Sequence, residues 1–514
     1  MNLKIGLTEL QPGWKIVLQQ EGLDFGRISL NDKIGVEEYS ILIVNNLISE
    51  KSKENLYTFL NEGGSVIQEA QNYAELYNQK ICTKKVKSII PDQDTVFSDL
   101  GIVDFHTKFK WIDSEKIEFL DSILKIQYLK IGKGSLLILP FDVNTLILNT
   151  ESIRRKFLAE REEIPSEIVA KISKGKIREI IFRCIKLLHE IRGIPIVQKW
   201  RFPNNWQNLF MFRVDTDFCS AEQAAELYQL CRKYSIRGTW FVDTASKETL
   251  QQVYATMLDQ EIALHCRRHL VFQDYETNRE NIENGLQDLQ EVGIQVNGFA
   301  APFGDWNEKL AKVLAEKSFK YSSEFTLDYD DLPFYPTINN EETSVLQIPI
   351  HPMSTGRMRR SHFSENEMWA YYKSHIDDCL NTGAPIFLYH HPSHGNLQVF
   401  EKVFSYLNEK KINILTYNEY SEWWQRRNDL IMSFNYSQNT ISCENPDNQA
   451  EIYLRISQND KSAFAKIKKS IKLDELEWNK VRRNPPKKEL ERTRKWHWRD
   501  TLYNYESKKG KRNK

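Results

Sequence analysis

Between Pro195 and Trp424 the sequence repeats one unit, a short apolar run followed by an amphipathic stretch. The runs predict strands at 209–215, 238–242, 261–265, 297–302, 320–324, 345–351, 385–391 and 413–417. Between them lie helical patterns such as "NRENIENGLQDLQEVG", which sets Ile282, Leu286, Leu289 and Val292 on one face. Strands that are apolar on both faces and alternate with helices predict a parallel sheet wrapped by those helices, here a (β/α) barrel or a distorted relative of one. In that architecture chemistry gathers at the C-terminal ends of the strands.

Four of the predicted strand ends carry groups that could converge there. In "FMFRVDTDFC" a buried run ends on Asp215 and Asp217, separated by Thr216. Such acids also suit a turn ahead of the helix "SAEQAAELYQLCRKY". In "EIALHCRRH" a strand ends at His265 and His269 follows four residues later, a spacing that lets two imidazoles reach one metal ion. The stretch "GFAAPFGDWN" ends in a turn at Pro302, Phe303 and Gly304, with Trp306 behind, and "PIFLYHHPSHG" delivers His390, His391 and His394. Two neutral imidazoles and one carboxylate make a three-ligand set that leaves positions open for water and substrate. The second carboxylate can then serve as general base, and a histidine across the pocket can protonate the leaving group. A positive ion would also make two neighbouring carboxylates tolerable.

The other segments differ in pattern. Residues 1–150 alternate strands and helices, most plainly in "YSILIVNNLISEKSKENLYTFLNEGGSVIQEA", where Ser49 starts a helix and Gly63-Gly64 ends it. Residues 151–194 read as a helical connector, with Ile168, Ile172, Ile177, Ile180, Ile181, Ile185 and Leu188 mostly three to five residues apart; His106 and His189 read as surface or helix-end histidines. The barrel unit at 195–428 is followed by alternating runs at 429–479 that predict a small antiparallel β module. The tail at 480–514 carries 14 Lys and Arg against 4 Asp and Glu.

The barrel motifs, in the order "RVDTDF", "RGTWFV", "EIALHCRRH", "GFAAPFGDWN" and "FLYHHP", resemble the polysaccharide deacetylases of carbohydrate esterase family 4. The resemblance implies an incomplete (β/α) barrel and metal-dependent removal of an acetyl group from a sugar. By position it implies His265, His269 and Asp217 as metal ligands and Asp215 as the base, with an exchange of roles between the two aspartates as the alternative. His391 matches the late catalytic histidine, with His390 as the second candidate. Pro302, Phe303, Gly304 and Trp306 are expected to face the substrate. The family's third-motif arginine, which holds the base, falls on Ala300, and Arg213, Arg267 and Arg268 are the candidates to replace it. Trp240 and Phe241 read as barrel packing. Residues 1–150 resemble flavodoxin-like, class I glutamine-amidotransferase-like domains in topology, without the Gly-flanked nucleophile such a domain would need for catalysis.

The expected function is therefore a hydrolase removing an N-acetyl, rather than O-acetyl, group from a glycan or glycan precursor, with zinc, or else cobalt or nickel, as its ion. The alternative is a non-catalytic scaffold or glycan-binding protein of an envelope polysaccharide pathway, which Ala300 favours. Seven scattered cysteines without a Cys-x-x-Cys pair, no run long enough to span a bilayer and no signal-like start together predict a cytoplasmic protein with reduced thiols. The tail would place it at an anionic inner-membrane surface or on another polyanion; no specific nucleic acid is expected.

Overall fold

The computed structural model describes residues 1–46, 48–157, 165–444, 446 and 451–481. The tail read as a membrane or polyanion arm lies, from residue 482 onward, outside the described residues. No helix among the described residues is long and apolar enough to cross a membrane, and all seven cysteines are free thiols.

The N-terminal unit is built on a seven-stranded sheet. Five strands, Phe25–Arg27, Ile5–Leu7, Ile41–Val44, Ser65–Glu69 and Gly134–Leu139, run parallel in that spatial order, and Ile126–Ile131 and Glu118–Asp121 extend it antiparallel. In order of chain appearance the parallel strands stand 2-1-3-4-5, an order used by doubly wound α/β sheets. Ser49 caps the helix Glu50–Glu62 by accepting from Ser52 N (3.2 Å), and Gly63, at φ 114°, ends it in a conformation only glycine adopts cheaply. A separate ribbon, Ile81–Ile89 paired with Val103–Ile112, stands apart from the main sheet.

The connector is only partly helical. Residues expected to begin it form a hairpin, Ser152–Lys156 against Ser166–Ala170, with Ile168 on its second strand. A spacing of four fits i, i+4 on a strand as well as on a helix, so the step from Ile168 to Ile172 does not choose between them. The helix itself spans Lys174–Ile191 and buries Ile177, Ile180, Ile181, Ile185 and Leu188 in the N-terminal core. His189 sits at its end but is buried, its Nδ1 3.0 Å from the Pro195 carbonyl. His106 is half-buried on the ribbon.

The second seven-stranded sheet is entirely parallel. Its strands are β1 (Phe210–Asp215), β2 (Thr239–Asp243), β3 (Glu261–Cys266), β4 (Gly298–Phe299), β5 (Tyr321–Ser322), β6 (Leu346–Gln347) and β7 (Ile386–His390). They lie in the order β6-β5-β4-β3-β2-β1-β7. The eighth predicted strand, 413–417, is reduced to a bridge between Ile414 and Phe210, because Thr416 already caps the helix Tyr417–Asp429 with a capping box. At the seam between β6 and β7 a backbone bond runs from His351 N to the Phe387 carbonyl (3.2 Å). The barrel is incomplete. Alternation along its strands separates two cores: Phe210, Phe212, Val214, Trp240, Ile386 and Leu388 pack outward on the helices, while Leu209, Met211, Phe241, Phe387 and Tyr389 fill the interior.

The β module of the C-terminal region draws on strands from elsewhere. Ile196–Lys199, just before the barrel, pairs antiparallel with Tyr453–Gln458, which pairs in turn with Lys461–Lys466. The other sheet of the module meets the N-terminal unit, where Leu3 N donates to the Phe434 carbonyl (2.8 Å) and Tyr436 N to the Met1 carbonyl (2.8 Å). Arg427, fully buried at the end of the helix Tyr417–Asp429, ties these parts together. It donates to the carbonyls of Gln19 (3.0 Å), Gln20 (3.0 Å), Lys199 (2.9 Å) and Trp200 (2.8 Å). Gln19 and Gln20 end the helix Pro12–Gln20, where a cation is favoured. Since hydrogen bonds to a charged group contribute about 1.5–3 kcal/mol, Arg427→Ala should cost at least about 3 kcal/mol in urea unfolding. A loss under about 1 kcal/mol would mean that water takes over those carbonyls.

Candidate active site

The site is built outward from β1. Residues i and i+2 of a strand share a face, so Arg213 and Asp215 both point into the barrel. Arg213 grips Asp215 with two parallel hydrogen bonds, Nε to Oδ1 (2.6 Å) and Nη2 to Oδ2 (2.7 Å). Its Nη1 donates to the Ser323 carbonyl (2.6 Å), and its plane lies near the Phe241 and Tyr389 rings. Burial alone would raise the Asp215 carboxyl; the Arg213 guanidinium overcomes it and holds the group down at about 2. Asp215 is thus an anion at neutral pH. Arg213 takes the place left by Ala300. Arg267 instead pairs with Asp288 (3.2 Å), and Arg268 reaches Glu280 (3.8 Å) and lies over Phe272.

After Asp215 the chain leaves the strand. Thr216 stitches this turn to β2, its Oγ1 accepting from Asp243 N (3.0 Å), and Asp217 swings toward the histidines. The Asp217 carboxylate lies 3.6 Å from His265 Nε2, 3.5 Å from His269 Nε2 and 3.3 Å from His391 Nε2. His265 Nδ1 is 2.6 Å from the Ala300 carbonyl, which can only accept, so Nδ1 carries a proton and in the neutral ring the Nε2 lone pair would face Asp217. Both His265 Nε2 and Asp217 Oδ1 are buried without a hydrogen-bond partner among the described residues. Burial, reinforced by neighbouring His265, lowers His269 to about 4, leaving a neutral imidazole of the kind that ligates metals. Two overlapping three-residue groups result, Asp217 with His265 and His269, and Asp215 and Asp217 with His391. The first fits a cation better: its donors have unused lone pairs, whereas Asp215 is already committed to Arg213.

Residues 214–322 match the family model for polysaccharide deacetylase, and this stretch contains the aspartates, both candidate ligand histidines and the Pro302 turn. The chain carries a polysaccharide deacetylase domain. No curated protein sequence matches the chain. Among solved structures, the chain is similar to a candidate polysaccharide deacetylase from Mycobacterium smegmatis (17% identity, 44% of this chain and 94% of that one, TM-score 0.37). A family 4 carbohydrate esterase from Streptomyces lividans in complex with acetate gives 13% identity over 40% of this chain and 91% of that one, with a TM-score of 0.29. A family 4 pseudoenzyme from Bacillus anthracis gives 12% identity over 53% and 90%, with a TM-score of 0.31.

The other expected site residues of the deacetylase domain divide between site and scaffold. His391 enters the site, 3.9 Å from Asp215 as well as beside Asp217. His390 does not. One residue earlier on β7, it points outward with Ile386 and Leu388, its ring 4.4 Å from Phe400 and its Nδ1 3.3 Å from Thr355 Oγ1. His394 lies beside His391, ring centroids 4.3 Å apart and planes tilted by 41°. In the Pro302–Gly304 turn, Pro302 and Gly304 are buried, the latter packed against Phe325, while Phe303 is 57% exposed with its ring 4.7 Å from that of His269. Trp306, half-buried, packs against the core that includes Leu327 and Phe334. Trp240 and Phe241 are buried packing, as expected.

The structure adds a residue that the sequence did not single out. Phe218, directly after Asp217, is 77% exposed, and its ring lies 5.0 Å from His269 on the rim it shares with Phe303. Both phenylalanines hold left-handed backbone, φ 56° and 58°, where bulky residues are genuine outliers. Such strain concentrates at functional sites.

Proposed function

We propose that the deacetylase domain is a metal-dependent hydrolase that removes an acetyl group, N-acetyl rather than O-acetyl, from a sugar of a glycan or glycan precursor. The observation that carries this reading is the pair of buried, unpartnered atoms Asp217 Oδ1 and His265 Nε2 facing each other beside His269. Asp217, His265 and His269 would hold the ion, for which zinc suits the nitrogen and oxygen donors best and cobalt or nickel are the alternatives. Bound there, a divalent ion supplies positive charge that polarises an acyl carbonyl and acidifies water.

The remaining steps belong to the protein. Asp215, ionised and fixed by Arg213, takes a proton from the attacking water. His391, kept neutral by burial against the pull of Asp217 and Asp215, stands where that proton can pass to the leaving nitrogen. Phe218 and Phe303 offer apolar surface to the sugar face at the mouth. The scaffold alternative drew on Ala300 and on the extra domains; the grip of Arg213 on Asp215 favours the enzyme over it.

Metal content tests the reading directly. Purified protein stripped and refilled with zinc, cobalt or nickel should hold a stoichiometric ion, and His265→Ala with His269→Ala should lose it. Substoichiometric binding that this double variant leaves unaltered would remove the site.

A further inference from the structure

The ribbon of the N-terminal unit and the turn after Glu118–Asp121 line a cavity far along the chain from the deacetylase motifs. Its volume is about 340 Å³, within the range of about 300–1,000 Å³ typical of ligand pockets. Lys84, Lys85, Lys87 and Lys125 line it together with Trp111 and Ser122, and none of its lining residues is acidic. Elsewhere on this unit Lys33, Lys53 and Lys80 pair with Glu62, Glu50 and Asp113. Among the described residues, the four cavity lysines pair with none. Lys125, in left-handed backbone at φ 61°, instead sets its ammonium 5.2 Å from the Trp111 ring and 4.8 Å from the Phe119 ring.

Clustered like charges with no internal partner raise a positive potential that attracts a polyanion. The shape and the covering of Trp111 narrow the choice. Single-stranded nucleic acid stacks its bases on open aromatic faces, and here an ammonium lies over the indole. A bilayer surface meets protruding amphipathic elements and does not enter a concave groove. A sugar chain bearing carboxylates fits: ammonium groups meet the anions, and Ile123 and the indole edge meet the carbon faces, while the Ser88 and Ser122 hydroxyls are taken up by Asp104 and Asp92.

We propose that this groove binds an acidic polysaccharide and so holds on the N-terminal unit a glycan that the deacetylase domain works on. The choice of a glycan rests on the deacetylase reading; the preference for an anion rests on the groove. The test uses the full chain and polygalacturonate oligomers, titrated by calorimetry at low and at 0.5 M salt. Wild type should bind them, bind neutral dextran at least about tenfold more weakly, and lose affinity steeply with salt. Lys84→Glu with Lys87→Glu, both exposed, should weaken binding at least about tenfold with zinc content and circular dichroism unchanged; Lys125→Gln supplies an independent variant. Wild-type affinity in both variants, equal binding of dextran, or tighter binding of poly(U) or of phosphatidylglycerol vesicles would overturn the proposal. The deacetylase reading is read separately: polygalacturonate binding without zinc removes that reading and leaves the groove, and zinc without polygalacturonate binding does the reverse.

Discussion

Asp215→Asn should lower kcat on an acetylated oligosaccharide by about 100-fold to 10,000-fold while stoichiometric metal stays bound, the range that loss of a general base typically spans. The amide keeps the shape of the carboxylate but cannot accept a proton, and the three candidate ligands are untouched. The same substitution has a signature without substrate. Asp215 is held at about 2, below its ordinary unfolded value of about 3.9, so it contributes stability that is present above that unfolded value and lost as pH falls toward 2. Metal-free wild type should therefore lose stability between about pH 4 and 2 more steeply than metal-free Asp215→Asn. If Asp215→Asn loses the metal while Asp217→Asn retains it, the two aspartates have the opposite roles.

Arg213→Met should be more costly to the fold and comparably damaging to activity. It removes the partner of a carboxylate that stays buried, and breaking a buried pair from one side costs about 3–5 kcal/mol. With the guanidinium gone, burial acts on Asp215 unopposed by its main counter-charge, and its carboxyl must rise. The acid limb of the kcat/KM profile should move to higher pH. Arg213→Lys should restore part of the charge but not the paired geometry, giving an intermediate shift. Profiles that superimpose on wild type in both variants would show that Arg213 packs the barrel without holding the base.

Much of this site was legible because strand ends announce themselves. Asp215, His265 and the turn at Pro302 each follow a run of buried residues, and Asp217, His269 and His391 come within a few residues of such a run. Parity was harder to read. His390 and His391 point to opposite sides of β7, and which one faces inward depends on where the strand begins, a boundary no local signal fixes. Arg213 was readable as a candidate, since it precedes Asp215 by two, but its choice over Arg267 and Arg268 needed Asp288 and Glu280 to be seen claiming those two. Phe218 gave no warning at all, because its left-handed backbone and exposure are properties of the folded turn. Trp306, which follows a strand end closely, packs half-buried against the N-terminal core, a contact that only the folded chain reveals.

The strand Ile196–Lys199 limits how this protein can be taken apart. Its neighbours in the sheet arrive some 250 positions later, so scissors placed at the apparent borders of the barrel sever a pairing that the linear order conceals. A gene fragment for 195–428 would display the bare backbone groups of that strand, an invitation to pair with a second molecule. One for 429–479 would want the same strand from outside. Recombination between genes faces the same constraint, so the barrel and the small sheets beside it should be inherited together or lost together.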